Sequence, residues 1–576
     1  MPKPPKPSVS TGRVVAAAVT LLLLGTVGAT QAVRVGASFM RDLELVSPAL
    51  SKSPPWTEDP KTPRLARRVF LVIIDGLRSD HSYQLPFLDE LRRKGVDLEA
   101  QSHYPTWSRP NYVSILTGVP PRASGVRTNW HFTPVLLDSL MDRARAAGLK
   151  VATATDYGLL PSLFLRPVGN GGVAIDPKDL EVDIDVMVEA PASKTALRAP
   201  GANLRSPFHD ARYVPWPGGF SEASAALVEG NAELVVLLIG AVDVAGHAHG
   251  ADSEDYLEAT QTADRALGRV LASVDLALDT IIVTADHGHT DAGGHGGTEP
   301  EVLTVPLILA GAGVKPASVF DARLIDVSPT VSALLGIPAP GHGMGRTLVE
   351  VVALDPEARQ RRLSADRLRL LATRSVVAVS EARAEAELLE NRALRLGLVL
   401  GGAALAIAMA VLLIRRRVLR LDLRVLMVAI PAFFVVYYAL IATLGQRFSP
   451  SLLPQQGHLT MALVKYAIVG MVVQLLASLW VLRRQGDLAS RLAAANGIAW
   501  TGLMLSMIPA GLLWAFFPAP YVLVPGATWL ILIPAVTLTV ACSAIDVALT
   551  LAIELIVFAA RARYRHLVAA ASDSAS

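Results

Sequence analysis

From residue 395 onward the chain is almost continuously apolar, interrupted only by clusters of arginine. That pattern dictates a membrane bundle before anything else is known. Spans are predicted near 395–414, 425–445, 460–482 and 494–517, with a longer apolar region from 521 to 560; each stretch approaches the ~20 residues that cross a bilayer. Arg415, Arg416, Arg417, Arg420 and Arg424 follow the first span, Arg483, Arg484 and Arg491 follow the third, and Arg561, Arg563 and Arg565 close the series. Positive charge marks the cytoplasmic side, so all three groups belong there if 521–560 crosses once, with the rest of that region interfacial or re-entrant. Asp546 and Glu554 are costly in lipid and are expected to face the bundle interior.

At the other end, VVAAAVTLLLLGTVGATQAV (14–33) follows a short polar start carrying Lys3, Lys6 and Arg13. It reads as an anchor helix in preference to a cleaved signal. Either reading places the next segment outside the cytoplasm. Residues 34–65 read as a polar, proline-bearing linker, and 351–394 as a charged helical connector into the bundle, which extends to 565. The 53 basic residues nearly balance the 50 acidic ones. Arginines beside apolar runs describe membrane topology, and no nucleic-acid-binding module is expected. Cys542 is the one cysteine, so any metal here must be held by His, Asp or Glu. The Ala/Arg/Leu bias suggests a GC-rich bacterial gene and hence a bacterial inner membrane.

Residues 66–350 read as one α/β domain. VFLVII (69–74), LVVLLIG (234–240), TIIVTA (280–285) and VPLILAG (305–311) are strand candidates separated by helical patterns. Apolar strands alternating with helices predict a doubly wound, mostly parallel sheet. The irregular stretch 166–220 reads as an insertion lining part of a pocket.

The chemistry gathers where strands end. The first candidate strand runs into Asp75. The second runs into Asp243 and then GHAHG with His247 and His249. The third runs into Asp286-His287, followed by His289, Asp291 and the glycine loop holding His295. Ligands in open α/β sheets bind beyond the carboxyl ends of strands. Mixed Asp and His donors favour zinc, with manganese the alternative. Six ligands make two sites, and paired metals clamp the attacking and leaving oxygens of phosphoryl transfer. A hydroxyl nucleophile should lie near, and HYPTWSRPNYVSILTG (103–118) offers Thr106 and Ser108, the latter at a helix start, where phosphate is favoured.

The ordered set VIIDGLRSD, PTWSRPNYVSILTG, DVAGHAHG, ADHG and GGHGG resembles the alkaline phosphatase superfamily, in its type I phosphodiesterase/nucleotide pyrophosphatase branch. The resemblance implies that Asp75, Ser108, Asp286 and His287 hold one Zn2+ and Asp243, His247 and His295 the other. It favours Ser108 over Thr106 as nucleophile and places Asn129 on a phosphoryl oxygen. The anchor–domain–bundle order resembles the glycosylphosphatidylinositol ethanolamine phosphate transferases, although this chain has fewer C-terminal spans.

The function expected is a membrane-anchored phosphotransferase or phosphodiesterase. It acts outside the cytoplasm through a Ser108 phospho-enzyme on a phospholipid or other phosphodiester, with phosphoethanolamine transfer to an envelope or glycolipid acceptor as one form. A hydrolase of nucleotide or other soluble phosphodiesters stands beside it, and so does a non-catalytic membrane lipid-binding or transport protein. His249 and His289 are expected at the rim or behind the ligands. His103, His131, His209 and Asp264 are expected to be structural, with His131 near enough to Asn129 to touch substrate. Arg109 is open between an anion contact and a structural role, and His342 fits no motif.

Overall fold

The computed structural model describes residues 11–44, 49–167, 204–443, 449–452, 458–485 and 487–573. Helix α1 spans Thr11–Glu44. It runs eleven residues past the expected end of the anchor, because nothing from Arg34 to Glu44 breaks a helix and Phe39 and Leu43 find a buried site.

The α/β domain is built on a seven-stranded sheet. Its strands are β1 (Val69–Ile74), β2 (Gly95–Gln101), β3 (Val151–Thr155), β4 (Asp210–Tyr213), β5 (Leu234–Ile239), β6 (Thr280–Thr284) and β7 (Thr304–Gly311). Their spatial order is β2-β7-β6-β1-β5-β3-β4. Every adjacent pair is parallel except those made by β7, which runs against both β2 and β6. β1 sits at the centre, with Val69 aligned to Leu234 on one side and to Thr280 on the other. Every residue of β1 and β5 is buried, so both faces are covered, which is why these strands carry unbroken apolar runs.

The stretch expected to be a pure insertion is partly sheet. Residues 210–213 pair with β3 as an edge strand, and 168–203 lie outside the described residues. β2, β3 and β4 were not anticipated. The first alternates buried and exposed positions along GVDLEAQ, and the other two are short and carry Ala, Thr, Asp or Arg in place of large apolar side chains.

Six helices are long and apolar enough to cross a membrane. Besides α1, one helix of 60 residues, Pro356–Arg415, runs through both the charged connector and the first C-terminal span. Helices Leu423–Thr443, His458–Leu482, Leu488–Phe516 and Ala527–Asp573 follow. The last is a single helix with Pro534 inside it, so the long apolar region forms one continuous helix and not two. Asp546 and Glu554 are both buried within the bundle, Glu554 against Arg491.

The bundle's connections sort to two ends. The loop after Phe516 and the short turn 449–452 touch the α/β domain. The arginine-bearing connections meet one another elsewhere, Arg420 bonding Gln485, and Asn496 bonding the carbonyls of Val14 and Val418.

Candidate active site

The carboxyl ends of β1, β5 and β6 deliver Asp75, Asp243 and Asp286 to one crevice. Asp75 and Asp286 each have one oxygen fixed and one bare. Asp75 Oδ2 accepts the Tyr112 hydroxyl, while Oδ1 has no hydrogen-bond partner. Asp286 Oδ1 accepts the Gly76 and His287 amides at 3.1 and 3.0 Å, while Oδ2 has none. Both bare oxygens face His287 Nε2, at 3.3 Å from Asp75 and 3.2 Å from Asp286. Ser108 Oγ lies 3.2 Å from the same nitrogen. The other nitrogen of that ring, Nδ1, donates to the Gly288 carbonyl at 3.1 Å. A carbonyl can only accept, so the proton sits on Nδ1 and Nε2 presents a lone pair.

A second group adjoins the first. Asp243 Oδ1 lies 3.4 Å from both His247 Nε2 and His295 Nε2, and those two nitrogens are 3.0 Å apart. The carbonyl of Thr106 accepts from His295 Nδ1 at 2.7 Å, which again turns the lone pair of Nε2 inward. The His287 and His295 rings stack 3.6 Å apart, placing the two groups side by side.

Lone pairs and bare carboxylate oxygens pointing at one another repel unless a cation sits among them. The donor separations of 3.0–3.4 Å match the edge of about 3.3–3.4 Å expected for a tetrahedron with bonds of 2.0–2.1 Å. The residues therefore fit two divalent cations. The first group supplies four donors including Ser108, and the second supplies three, leaving room for an outside oxygen.

The electrostatics agree. Burial, reinforced by Asp286 and Asp243, raises Asp75 well above its usual range; burial, with Asp243 adding to it and the contact with Asp75 opposing it, pushes Asp286 up to about 7. Burial works the same way on Asp243, but His247, His289 and His295 outweigh it and hold that carboxylate ionised. Burial lowers His287 to about 3 and His295 well below its ordinary value, keeping both rings neutral, as ligands must be.

Ser108 opens the helix Ser108–Thr117. Asn129 Nδ2 lies 3.4 Å from its hydroxyl, and Asn129 Oδ1 accepts the Arg109 amide at 2.9 Å, which fixes the carboxamide with its donor end toward Ser108. Thr106 is engaged otherwise: its hydroxyl donates to the Gly297 carbonyl and accepts the Gly296 amide, tying down the loop that carries His295. Arg109 spends its guanidinium on the Tyr157 hydroxyl, the His131 carbonyl and the Phe132 ring.

His289 lies behind the candidate ligands, in keeping with its expected place at the rim or behind them. It is fully buried, and its Nε2 lies 2.9 Å from Asp243 Oδ1. The Gly294 amide donates to its Nδ1, so Nε2 carries the proton and donates to Asp243. It therefore orients a ligand and leaves the ligating role to others. The backbone gives way to it: a Cβ on Gly246 would come within 2.6 Å of the ring, and one on Gly76 within 2.9 Å. Those two glycines, in the Asp-Gly and Gly-His pairs, were the available signal.

The bystanders are accounted for. His342 bridges the Asp138 amide and the Ser53 carbonyl. His209 accepts the Val151 amide, and Asp264 accepts the amides of Phe87 and Leu88. His249 stays on the rim, 3.6 Å from Asp255. His131 pairs with Glu44 of α1 at 2.9 Å.

The site rests on the bundle. Trp107, next to Ser108, packs with Phe39, Leu43, Tyr521, Leu530 and Ile533. Arg127 binds the carbonyls of Leu43, Tyr521 and Val522. Ser451, from the turn between two spanning helices, accepts the Gly297 amide and donates to Glu299. None of these pairings shows in the sequence, where Arg127 and Val522, for example, stand 395 residues apart.

Residues 69–301 match the family model of type I phosphodiesterase/nucleotide pyrophosphatase. Among curated proteins the chain is similar to GPI ethanolamine phosphate transferase 1 of Homo sapiens, 26% identical over 321 residues, covering 49% of this chain and 32% of that protein. It is also similar to the catalytic subunit of GPI ethanolamine phosphate transferase 2 of Homo sapiens, 25% identical over 337 residues, covering 55% and 31%. The chain thus spans less than a third of the length of these two relatives. Among solved structures it is similar to alkaline phosphatase PafA, 13% identical with a TM-score of 0.37, covering 50% of this chain and 99% of that one.

Proposed function

We propose that this protein is a two-zinc phosphoryl-transfer enzyme working at the outer face of a membrane, which moves phosphoethanolamine from a phospholipid to a hydroxyl of an envelope or glycolipid acceptor. The observation that carries the reading is the convergence of Ser108 Oγ, Asp75 Oδ1 and Asp286 Oδ2 on His287 Nε2 at 3.2–3.3 Å. A serine placed as one corner of a cation site is placed to react. Asp75, Ser108, Asp286 and His287 would hold one ion and Asp243, His247 and His295 the other; tetrahedral spacing and mixed N/O donors favour zinc over manganese. Divalent cations bound there would promote ionisation of the attacking hydroxyl and offset charge on the phosphoryl oxygens.

The chain's own residues define the rest. Ser108 Oγ bonds to phosphorus as the bond from phosphorus to the diacylglycerol oxygen breaks. The serine proton is lost to solvent, and the departing alkoxide takes one up. The acceptor hydroxyl then attacks the same phosphorus, loses its proton and returns Ser108 to its free form. Asn129 Nδ2 is placed to donate to a phosphoryl oxygen where charge builds. The contact of Trp107 with the bundle supports a lipid donor, since it sets the nucleophile beside the spanning helices. The arginine clusters support this orientation, with the domain that carries Ser108 outside the cytoplasm.

The test uses the full chain in nanodiscs containing phosphatidylethanolamine labelled in its head group, stripped by chelator and reloaded with zinc or manganese. Zinc-dependent labelling of Ser108, absent in Ser108→Ala, is the expected result. Rapid turnover of water-soluble diesters with no lipid label would put a soluble-diester hydrolase in its place. Unchanged lipid binding or transport by Ser108→Ala, with no turnover of any diester, would overturn the enzymatic reading.

A further inference from the structure

A second pocket of about 490 Å³ opens beside the loop that leads into the Ser108 helix, and nothing in the reaction above uses it. Its wall carries three guanidinium groups, from Arg122, Arg323 and Arg374, together with His103 and Tyr104. These cations are poorly neutralised. The nearest carboxylate to Arg122 is Glu381 at 3.9 Å, beyond hydrogen-bond reach, and Arg122 remains 60% exposed. Arg323 Nε is 3.8 Å from Asp326, whose oxygens already accept the amides of Arg323 and Arg346. Among the described residues Arg374 has no carboxylate partner. Burial lowers His103 to about 4, so its ring adds polarity without charge.

Arginines that converge without counter-ions repel one another and are suited to an anion. The planar guanidinium donates two parallel hydrogen bonds to phosphate, and three of them exceed what one carboxylate would need. The pocket's position narrows the source. The Tyr104 hydroxyl donates to the Pro525 carbonyl, in the loop joining the last two spanning helices. Arg374 stands on the 60-residue helix that continues into the membrane. His103 and Tyr104 lie five and four residues before Ser108 in the chain. We infer that this pocket is an anion site for a phosphate-bearing head group, separate from the metal centre.

The measurement is binding, without turnover, so it stands or falls independently of the catalytic reading. The full chain is chelated, which keeps phosphates off the metal site, and placed in phosphatidylcholine nanodiscs with or without phosphatidylglycerol. Lipid retained after release is counted by native mass spectrometry; inorganic pyrophosphate binding is followed separately by calorimetry. Arg122→Gln/Arg374→Gln removes two of the three cations while sparing Arg323, and thermal unfolding checks that the variant is folded. Each lost charge-assisted contact should weaken binding about tenfold or more, and Arg122→Lys/Arg374→Lys should recover part of it. Arginine-dependent retention of phosphatidylglycerol would identify a membrane lipid as the source, and arginine-dependent binding of pyrophosphate alone a soluble phosphate. Binding of both probes unchanged in the glutamine variant, or absent from the wild type, would overturn the inference.

Discussion

Strand β6 has a buried aspartate at each end. Asp279, just before it, has a fully buried side chain, and its oxygens take four hydrogen bonds from Arg67 and Arg68 at 2.7–3.1 Å. Asp286, just after it, is equally buried and, among the described residues, meets no arginine or lysine; one of its oxygens is bare. The same residue type, seven positions apart on one strand, is thus charge-balanced by the protein at the amino end and left for something else to balance at the carboxyl end. A buried carboxylate costs several kcal/mol unless paired. The protein meets that cost internally where the role is structural. It leaves the cost open where a cation is to bind.

The sharpest way to break this comparison is Asp286→Asn. Losing one ligand oxygen should empty the first cation group and, with several kcal/mol of transition-state charge stabilisation gone, slow turnover by about 10³-fold or more. Because the substitution also removes a charge that the metal-free protein holds at a cost, the chelated variant should melt no lower than chelated wild type. Metal content by mass spectrometry and a melting curve in chelator check both halves. A variant that melts well below wild type in chelator would place Asp286 with Asp279 as a structural group.

Asp279→Asn should do the reverse. It strands two guanidinium groups, one of them half-exposed, so folding should weaken by about 2–3 kcal/mol. Metal content should stay at the wild-type value. Chemical denaturation of the catalytic domain within the intact chain, read beside metal analysis, separates the two aspartates.

His289→Ala probes the ligand end more gently. Asp243 would keep its place as a donor but lose the hydrogen bond that orients it. Affinity for the second cation should fall about 10–100-fold, as when partners behind a metal ligand are removed. Titration of the chelated protein with zinc measures it. Loss of the metal altogether would instead make His289 a ligand, against the tautomer that the Gly294 amide imposes.

What the sequence made legible follows from the same asymmetry. β1, β5 and β6 are buried on both faces, so their apolar runs stand out, and an Asp at the end of each is conspicuous. Asp75, Asp243, Asp286 and His287 could be named on that basis and His295 from its glycine loop, while Ser108 stood beside Thr106 until the family resemblance favoured it. β2 and β4 sit at the two edges of the sheet, where the pattern is mixed, and the short β3 beside β4 carries only small side chains on VATAT; all three passed unseen. His289 was expected at the rim or behind the ligands, but its contact with Asp243 could not be read, because it depends on two glycines crossing over its ring, a packing fact with no periodicity. Glu299 is a further case: nothing in GGTEPE announces that a turn 150 residues later will place Ser449 and Ser451 on its carboxylate.

That last contact gives the smallest expected effect and the one most specific to a membrane enzyme. The bundle reaches the ligand end of the sheet and, among the described residues, makes no hydrogen bond to Asp279. Ser451 donates to Glu299 at 2.6 Å and accepts the Gly297 amide at 3.0 Å, two residues beyond His295. Ser451→Ala leaves the Gly297 amide without its partner, worth about 1 kcal/mol. It also loosens the loop that aims His295. Turnover should drop only a few-fold and zinc affinity at the second group less than in His289→Ala, while Ser449→Ala, which touches Glu299 but not the loop amide, should fall closer to wild type. Turnover and zinc titration on the three variants give the ranking. If Ser451→Ala instead matched His289→Ala, the spanning helices would be supplying part of the geometry of the metal centre, and the catalytic domain could not be treated as a unit that merely rests on its anchor.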